Sequence, residues 1–206
     1  MFELIYPDTD VPELPAPDVS SAGQRAFHDA GNAAGPASRT EYFPVIGSNG
    51  VVIARATRAY CHSGAKVLHP VVHLHVIDRM GHLYLQKRSM NKDIQPGKWD
   101  TAVGGHVDYG ESILEALYRE SSEELGLVEF NPVWLCSYEF ESGIEREQIN
   151  VFAAVGSYVM TPDHDEVEEI RGWTMEAISG NLGKSVFTPN FEGEFVRIRD
   201  SLLALL

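Results

Sequence analysis

Residues 105–127 read GHVDYGESILEALYRESSEELGL. A glycine opens the stretch, Glu111 stands six residues on, and Arg119 and Glu120 follow eight and nine residues after Glu111. From Ser112 the apolar residues Ile113, Leu114 and Leu117 recur at helical spacing, and Leu125-Gly126 reads as a helix stop. On that helix Glu120 and Glu124 lie one turn apart, with Glu123 three residues from Glu120, so three carboxylates crowd one face. Each like-charged pair costs an isolated helix roughly 0.2–0.5 kcal/mol. Solvated acidic faces are common, but they do not require a glycine loop and a glutamate at a fixed offset ahead of them. A divalent, oxygen-seeking cation turns the repulsion into coordination, and magnesium is the natural choice for such donors.

Outward from this stretch the chain divides in two. Residues 1–40 are rich in Pro, Gly, Ala, Ser and Asp, have no sustained apolar period, and read as an extended arm or linker. Within it, FELIY at 2–6 has the composition to pair as a strand or dock on the surface. Residues 41–206 read as one domain. EYFPVIG and VVIARATR flank a turn at 48–50, and VVHLHVIDRMGHLYLQKR (71–88) is a second pair of alternating runs around a turn at 79–81. Strand-like runs return at 132–140 and 148–159, and WTMEAISGNL (173–182) reads as a short helix. Phe191, Phe195, Ile198 and Leu202 predict a terminal amphipathic helix. Hairpins mixed with helices predict an α/β protein with a mixed β-sheet sandwiched by helices.

Bulk properties narrow the partners. The 206 residues carry a formal charge of −14, which argues against a nucleic-acid or anionic-membrane surface. A small phosphorylated molecule stays open, provided cations are held locally. Cys61 and Cys136 have no CxxC spacing and read as reduced thiols. With no apolar run of about 18 residues and no basic leader, a cytoplasmic location is expected.

The stretch at 105–127 resembles the Nudix box, G-x5-E-x7-R-E-U-x-E-E-x-G-U, where U is bulky and aliphatic. Gly105, Glu111, Arg119, Glu120, Glu123, Glu124, Gly126 and Leu127 all match, and Ser121 at the first U departs. The resemblance implies an α/β/α sandwich fold. It also implies that Glu120 and Glu124 ligate metal, with Glu123 as a further ligand or general base. Arg119 would hold a glutamate by a charge-assisted bond, and the carbonyl of Gly104 would complete the metal shell. Water would then attack a phosphorus of a diphosphate, with Mg2+ or Mn2+ as cofactor.

From about Ala56 to Phe191 the chain resembles the isopentenyl-diphosphate isomerase branch of that superfamily. The likeness lies in His62, Leu68-His69, LYLQKR (83–88), KDIQPGKW (92–99), GHV (105–107), Glu145, Glu147 and VFAA (151–154). It implies a second metal site of His62, His69, His106, Glu145 and Glu147, a donor set suited to zinc or manganese. Arg58, Arg88 and Lys92 match the isomerase's diphosphate-gripping positions. The isomerase moves protons with a cysteine and a glutamate. The glutamate corresponds to Glu147, but the cysteine's place is Gly104, and its carbocation-steadying Trp corresponds to Ser185. The isomerase also lacks acids at the positions of Glu120 and Glu123.

The expectation is therefore a metal-dependent hydrolase of the isomerase-like branch, cleaving a diphosphate linkage in a small nucleoside or organic compound. Glu123 or Glu147 would take the proton. An isopentenyl-diphosphate isomerase and a silent Nudix ligand-binding module are the alternatives. Trp99, Tyr109, Phe140 and Phe187 are aromatic candidates for stacking a base or lining an apolar pocket. The family contains monomers and dimers, which leaves a homodimer open.

Overall fold

A computed structural model describes residues 2–15, 40–92 and 94–206; residues 16–39 of the expected arm lie outside the described residues. The order is β1 (Tyr42–Ile46), β2 (Val52–Thr57), α1 (Arg58–Cys61), β3 (Leu68–Ile77), β4 (Leu83–Arg88), β5 (Trp99–Asp100), β6 (Val103–His106), α2 (Ile113–Leu125), β7 (Val133–Glu141), β8 (Arg146–Val155), β9 (Val167–Trp173), α3 (Met175–Asn181) and α4 (Pro189–Leu203).

β3 is the middle of the molecule, and all ten of its residues are buried. Its Val71 and Ile77 join Ile149 and Val151 of β8 under Ile178 of α3 and Phe191, Phe195, Ile198 and Leu202 of α4. The intervening Val72, Leu74 and Val76 pack on Ile113, Ala116, Leu117 and Leu125 of α2. Alternation along this strand therefore separates two cores, one on each face of the sheet, instead of core from water. Helices cover both faces, so the α/β/α sandwich is present. The sheet is mixed: β3 runs parallel to β8 from Leu68↔Arg146 to Ile77↔Val155, while β4, β6, β7 and β9 add antiparallel pairings.

One flank of β3 is shared. Val76 and Ile77 pair with Tyr84 and Leu83 of β4, whereas Val71–Leu74 pair with His106–Val103 of β6. That division sets β6 and its two glycines beside the first half of the central strand. β9 escapes sequence reading because VEEIRGW is half charged; it is recruited by pairing with β4.

The capping chemistry of α2 is local. Ser112 and Glu115 form a reciprocal capping box, and Gly126 closes the helix in the left-handed region at φ 61°. One face buries Ile113, Ala116, Leu117 and Leu125, each aliphatic side chain as large as Leu contributing roughly 1.5–3 kcal/mol. Ser121, the departure from the box pattern, is fully buried and its hydroxyl donates to the Leu117 carbonyl at 2.7 Å. The substitution thus leaves no unsatisfied polar group under the helix.

β1 and β2 form a separate antiparallel hairpin. Residues 2–15 run along it, with Ile5 bridged to Val51 and Glu13 to Arg55. No helix among the described residues is long and apolar enough to cross a membrane.

Candidate active site

A cavity of about 670 Å³ opens where β6 leaves the sheet. Gly104, Gly105, His106, Arg119, Glu120 and Glu123 line it together with His62, His73, Glu145 and Glu147. The two glycines work on opposite sides of the strand, as successive strand residues must. A Cβ on Gly105 would stand 2.0 Å from the Glu120 carboxyl carbon, so only glycine lets that carboxylate lie against the backbone. A Cβ on Gly104 would meet His73 Nε2 and Thr101 Cγ2 at 3.6 Å, which is ordinary contact.

On the α2 side, Arg119 organises the acids. Its Nε and Nη2 donate to the two Glu111 oxygens at 2.8 and 2.9 Å, and its Nη1 donates to Glu120 at 2.8 Å and Glu123 at 3.1 Å. Nη2 also reaches the His106 carbonyl at 2.9 Å, which ties the helix to the end of β6. These bonds to Glu111 and Glu120 hold the guanidinium charged with a pKa above its usual range. Glu124 lies beneath the cavity, accepting from Gln86 Nε2 at 3.2 Å and from the Gly104 amide at 3.4 Å. Burial, then the charges of Glu120 and Glu166, raise its carboxyl well above the ordinary range. Burial also raises Glu120, against the pull of Arg119. Glu123 is the open member, its side chain 61% exposed.

On the other side of β6 three imidazoles converge. Ligand atoms of His62, His69 and His106 all lie within 4.8 Å of one another. His62 Nε2 and His106 Nε2 are 3.1 Å apart, Glu145 is 3.4 Å from His62 Nε2, and Glu147 is 3.8 Å from His106 Nε2. His69 Nδ1 meets the Val67 carbonyl at 3.0 Å, while its buried Nε2 has no hydrogen-bond partner among the described residues. Burial lowers all three imidazoles, His62 to about 4 with help from the Arg58 charge. Burial and the neighbouring Glu145 push Glu147 up to about 7.

The cationic residues expected from sequence, Arg58, Arg88 and Lys92, all line the cavity. Arg58 pairs with Glu41 at 3.3 Å, Arg88 donates to the Ile94 carbonyl, and Lys92 bonds to Glu166. Of the aromatic candidates, Phe140 lines the cavity. Trp99 and Phe187 are core residues, and Tyr109 packs edge-on against Tyr6.

Sequence reasoning missed a buried network behind Gly104. Glu194 of α4 accepts from His73 Nδ1 at 2.9 Å, His75 Nε2 at 2.6 Å and the Tyr138 hydroxyl at 2.7 Å. Burial alone would lower His73 and raise Glu194; their mutual attraction and hydrogen bond reverse both shifts. The signal was present, since Glu194 falls inside the apolar stripe of Phe191, Phe195 and Ile198. Glu166, Asp100 and Asn190 also line the cavity, and no sequence spacing marks them.

The pattern of the NUDIX domain family matches residues 67–191. The chain is 30% identical over 157 residues to an uncharacterized Nudix hydrolase of Yersinia pestis, a span covering 75% of this chain and 84% of that one. It is 30% identical over 136 residues to an isopentenyl-diphosphate delta-isomerase of Clavibacter sepedonicus, covering 63% and 72%. The crystal structure of DR0079 from Deinococcus radiodurans superimposes with a TM-score of 0.67 at 20% identity, covering 76% of this chain and 98% of that one. At that identity the likeness speaks for the fold.

Proposed function

The chain belongs to the Nudix domain family, and on that premise we propose that it is a metal-dependent hydrolase cleaving a diphosphate linkage in a small nucleoside or organic diphosphate. The observation that carries the reading is the grip of Arg119 on Glu111, Glu120 and Glu123 beside Gly105 and the buried Glu124. A catalytically silent binding module would have no use for a carboxylate set this crowded.

The donor chemistry fits a hard divalent cation. Glu120 and Glu124 are carboxylates that burial raises above the ordinary range, and they would hold Mg2+ or Mn2+ with the Gly104 carbonyl. Bound there, the ion neutralises charge on the phosphoryl oxygens and makes water a better nucleophile. Arg119 keeps Glu120 in place by a charge-assisted bond. Glu123, exposed to the cavity and sharing Arg119, takes the proton of the attacking water. Arg58, Arg88 and Lys92 bind the diphosphate from the cavity wall.

His62, His69, His106, Glu145 and Glu147 would hold a second ion. The orphaned Nε2 of His69, with Nδ1 fixed on a carbonyl, is the arrangement a metal-ligating imidazole adopts. The set is shared with the isomerase branch, but isomerisation also needs an acid at position 104, where there is no side chain. The hydrolytic reading keeps every group it needs.

The test is a product assay with Mg2+ and then Mn2+ on a panel of nucleoside diphosphate compounds and isopentenyl diphosphate, with Glu124→Gln as control. Metal-dependent cleavage lost in the variant is the expected result. A shifted double bond with the diphosphate intact would overturn it.

A further inference from the structure

The loop that carries Glu111 is held from outside the Nudix region. Residues 2–15 reach it along the β1–β2 hairpin: Ile5 donates to the Gly50 carbonyl at 2.9 Å and accepts from Val52 at 2.9 Å, while Leu14 donates to Arg55 at 2.8 Å. Gly50, at φ 81°, lets this segment pass close, since a Cβ there would stand 2.4 Å from the Glu3 carbonyl oxygen. Phe2, Leu4, Tyr6 and Val11 pack with Tyr109 onto Ile46, Val52 and Leu68. At the end of this path the Tyr6 hydroxyl accepts from the Gly110 amide at 3.0 Å and donates to the Glu111 carbonyl at 3.1 Å. One side chain thus clamps both faces of the turn that leads into α2.

We infer that Tyr6 is a positioning residue for the metal-binding carboxylates, acting through Glu111 and Arg119; the inference rests on the hydrolase reading for its consequence. The chain of contacts is continuous. Tyr6 fixes the Gly110–Glu111 backbone, and the Glu111 carboxylate takes a two-pronged bond from Arg119. Arg119 in turn sets Glu120 and Glu123. The turn closes on itself through the Glu111 amide to the Asp108 carbonyl at 3.0 Å and the Asp108 amide to Glu111 Oε2 at 3.0 Å, and Tyr6 adds a hold on exposed Gly110 from outside. Packing alone would be served by phenylalanine. The hydroxyl adds two hydrogen bonds to backbone groups that water would otherwise satisfy.

The experiment compares wild type, Tyr6→Phe and Tyr6→Leu in the full chain by thermal melting, amide exchange over residues 106–112 and calorimetric titration with Mg2+. Tyr6→Phe keeps the ring in its apolar cluster and is expected to melt only about 2–4 °C below the wild type, the cost of about one ordinary hydrogen bond. Its 106–112 segment exchanges faster, and its Mg2+ affinity falls about three- to tenfold because binding must order the loosened turn. Tyr6→Leu loses melting temperature as well. Unchanged exchange and Mg2+ affinity in Tyr6→Phe overturn the inference, as do losses that merely track melting temperature across both variants. Wild type that binds Mg2+ but cleaves nothing counts against the hydrolase reading alone, because exchange and metal affinity still report on Tyr6. Wild type that binds no Mg2+ overturns both.

Discussion

Arg119 and Glu111 are joined by a two-pronged ion pair, Nε to Oε1 at 2.8 Å and Nη2 to Oε2 at 2.9 Å. The pair spans the junction between a loop and a helix, so it fixes the angle at which α2 presents its acids. A lysine at 119 supplies charge without the planar fork. Arg119→Lys is expected to retain the fold and lower kcat/KM by about 10- to 100-fold, the usual effect of disturbing a residue that orients metal ligands. Steady-state kinetics beside a melting curve checks it.

The glycines at 104 and 105 are predicted to behave oppositely. Gly105→Ala drives a Cβ into the Glu120 carboxylate, whose position would be 2.0 Å away. The side chain swings off Arg119, and turnover falls by about a hundredfold, the scale expected when a site shifts by an ångström. Gly104→Ala places its Cβ at ordinary contact distances and is expected to keep most of its turnover. Equal losses in the two variants would contradict the assignment of their faces.

Glu123 and Glu147 compete for the role of general base. Glu123 shares Arg119 with Glu120, whereas Glu147 stands with the histidines across β6. Glu123→Gln is expected to lower kcat by about 100- to 10,000-fold, the range for a lost general base. Glu147→Gln is expected to act chiefly on metal content at the histidine site. A kcat loss confined to Glu147→Gln would reverse the assignment.

The histidine cluster is testable by metal analysis. His69→Ala removes the imidazole whose buried Nε2 lacks a partner. Zinc affinity, followed by competition with a chromogenic chelator, should fall by more than the roughly 10- to 100-fold typical of losing an outer partner. Magnesium binding on α2 should be unchanged. A variant that holds zinc as tightly as wild type would leave the cluster as packing.

The Glu194 network gives stability a pH signature. His73 has its folded pKa raised, so its contribution is complete below the free imidazole value near 6.5 and fades as pH rises through the folded value. Glu194 has its pKa lowered, so its contribution is present above the free carboxylate value near 4.3 and fades as pH falls through the folded value. Wild type should therefore exceed Glu194→Gln most between these limits. Near pH 6 the difference should be about 3–5 kcal/mol, the cost of stripping one partner from a buried pair. Urea unfolding at several pH values measures it, and a difference that does not vary with pH would contradict it.

Local pattern carried much of this protein. The spacing of Gly105, Glu111, Arg119, Glu120, Glu123 and Glu124 was readable because a helix repeats every 3.6 residues and its caps are local chemistry. Ser112, Gly126 and the α2 apolar face lie where their residue types predict. The α/β class followed from the same short-range periods. What short range does not contain is which distant segments meet. The pairing of β6 with β3, which divides the carboxylates from the histidines, depends on Val71–Leu74 finding Val103–His106. Glu194 reads as a flaw in an apolar stripe until α4 lays it against His73 and His75, residues separated from it by 121 and 119 positions. Tyr6 lies 104 residues from Gly110, at the end of FELIY, whose composition allowed it to dock without saying onto what. Residue type and spacing determined the carboxylate-bearing helix because its geometry is set within a few turns. The second face of the site, its buried ionic support and its N-terminal clamp were decided by tertiary packing. Their contacts exist only once the burial of two separate cores has brought remote strands and helices together.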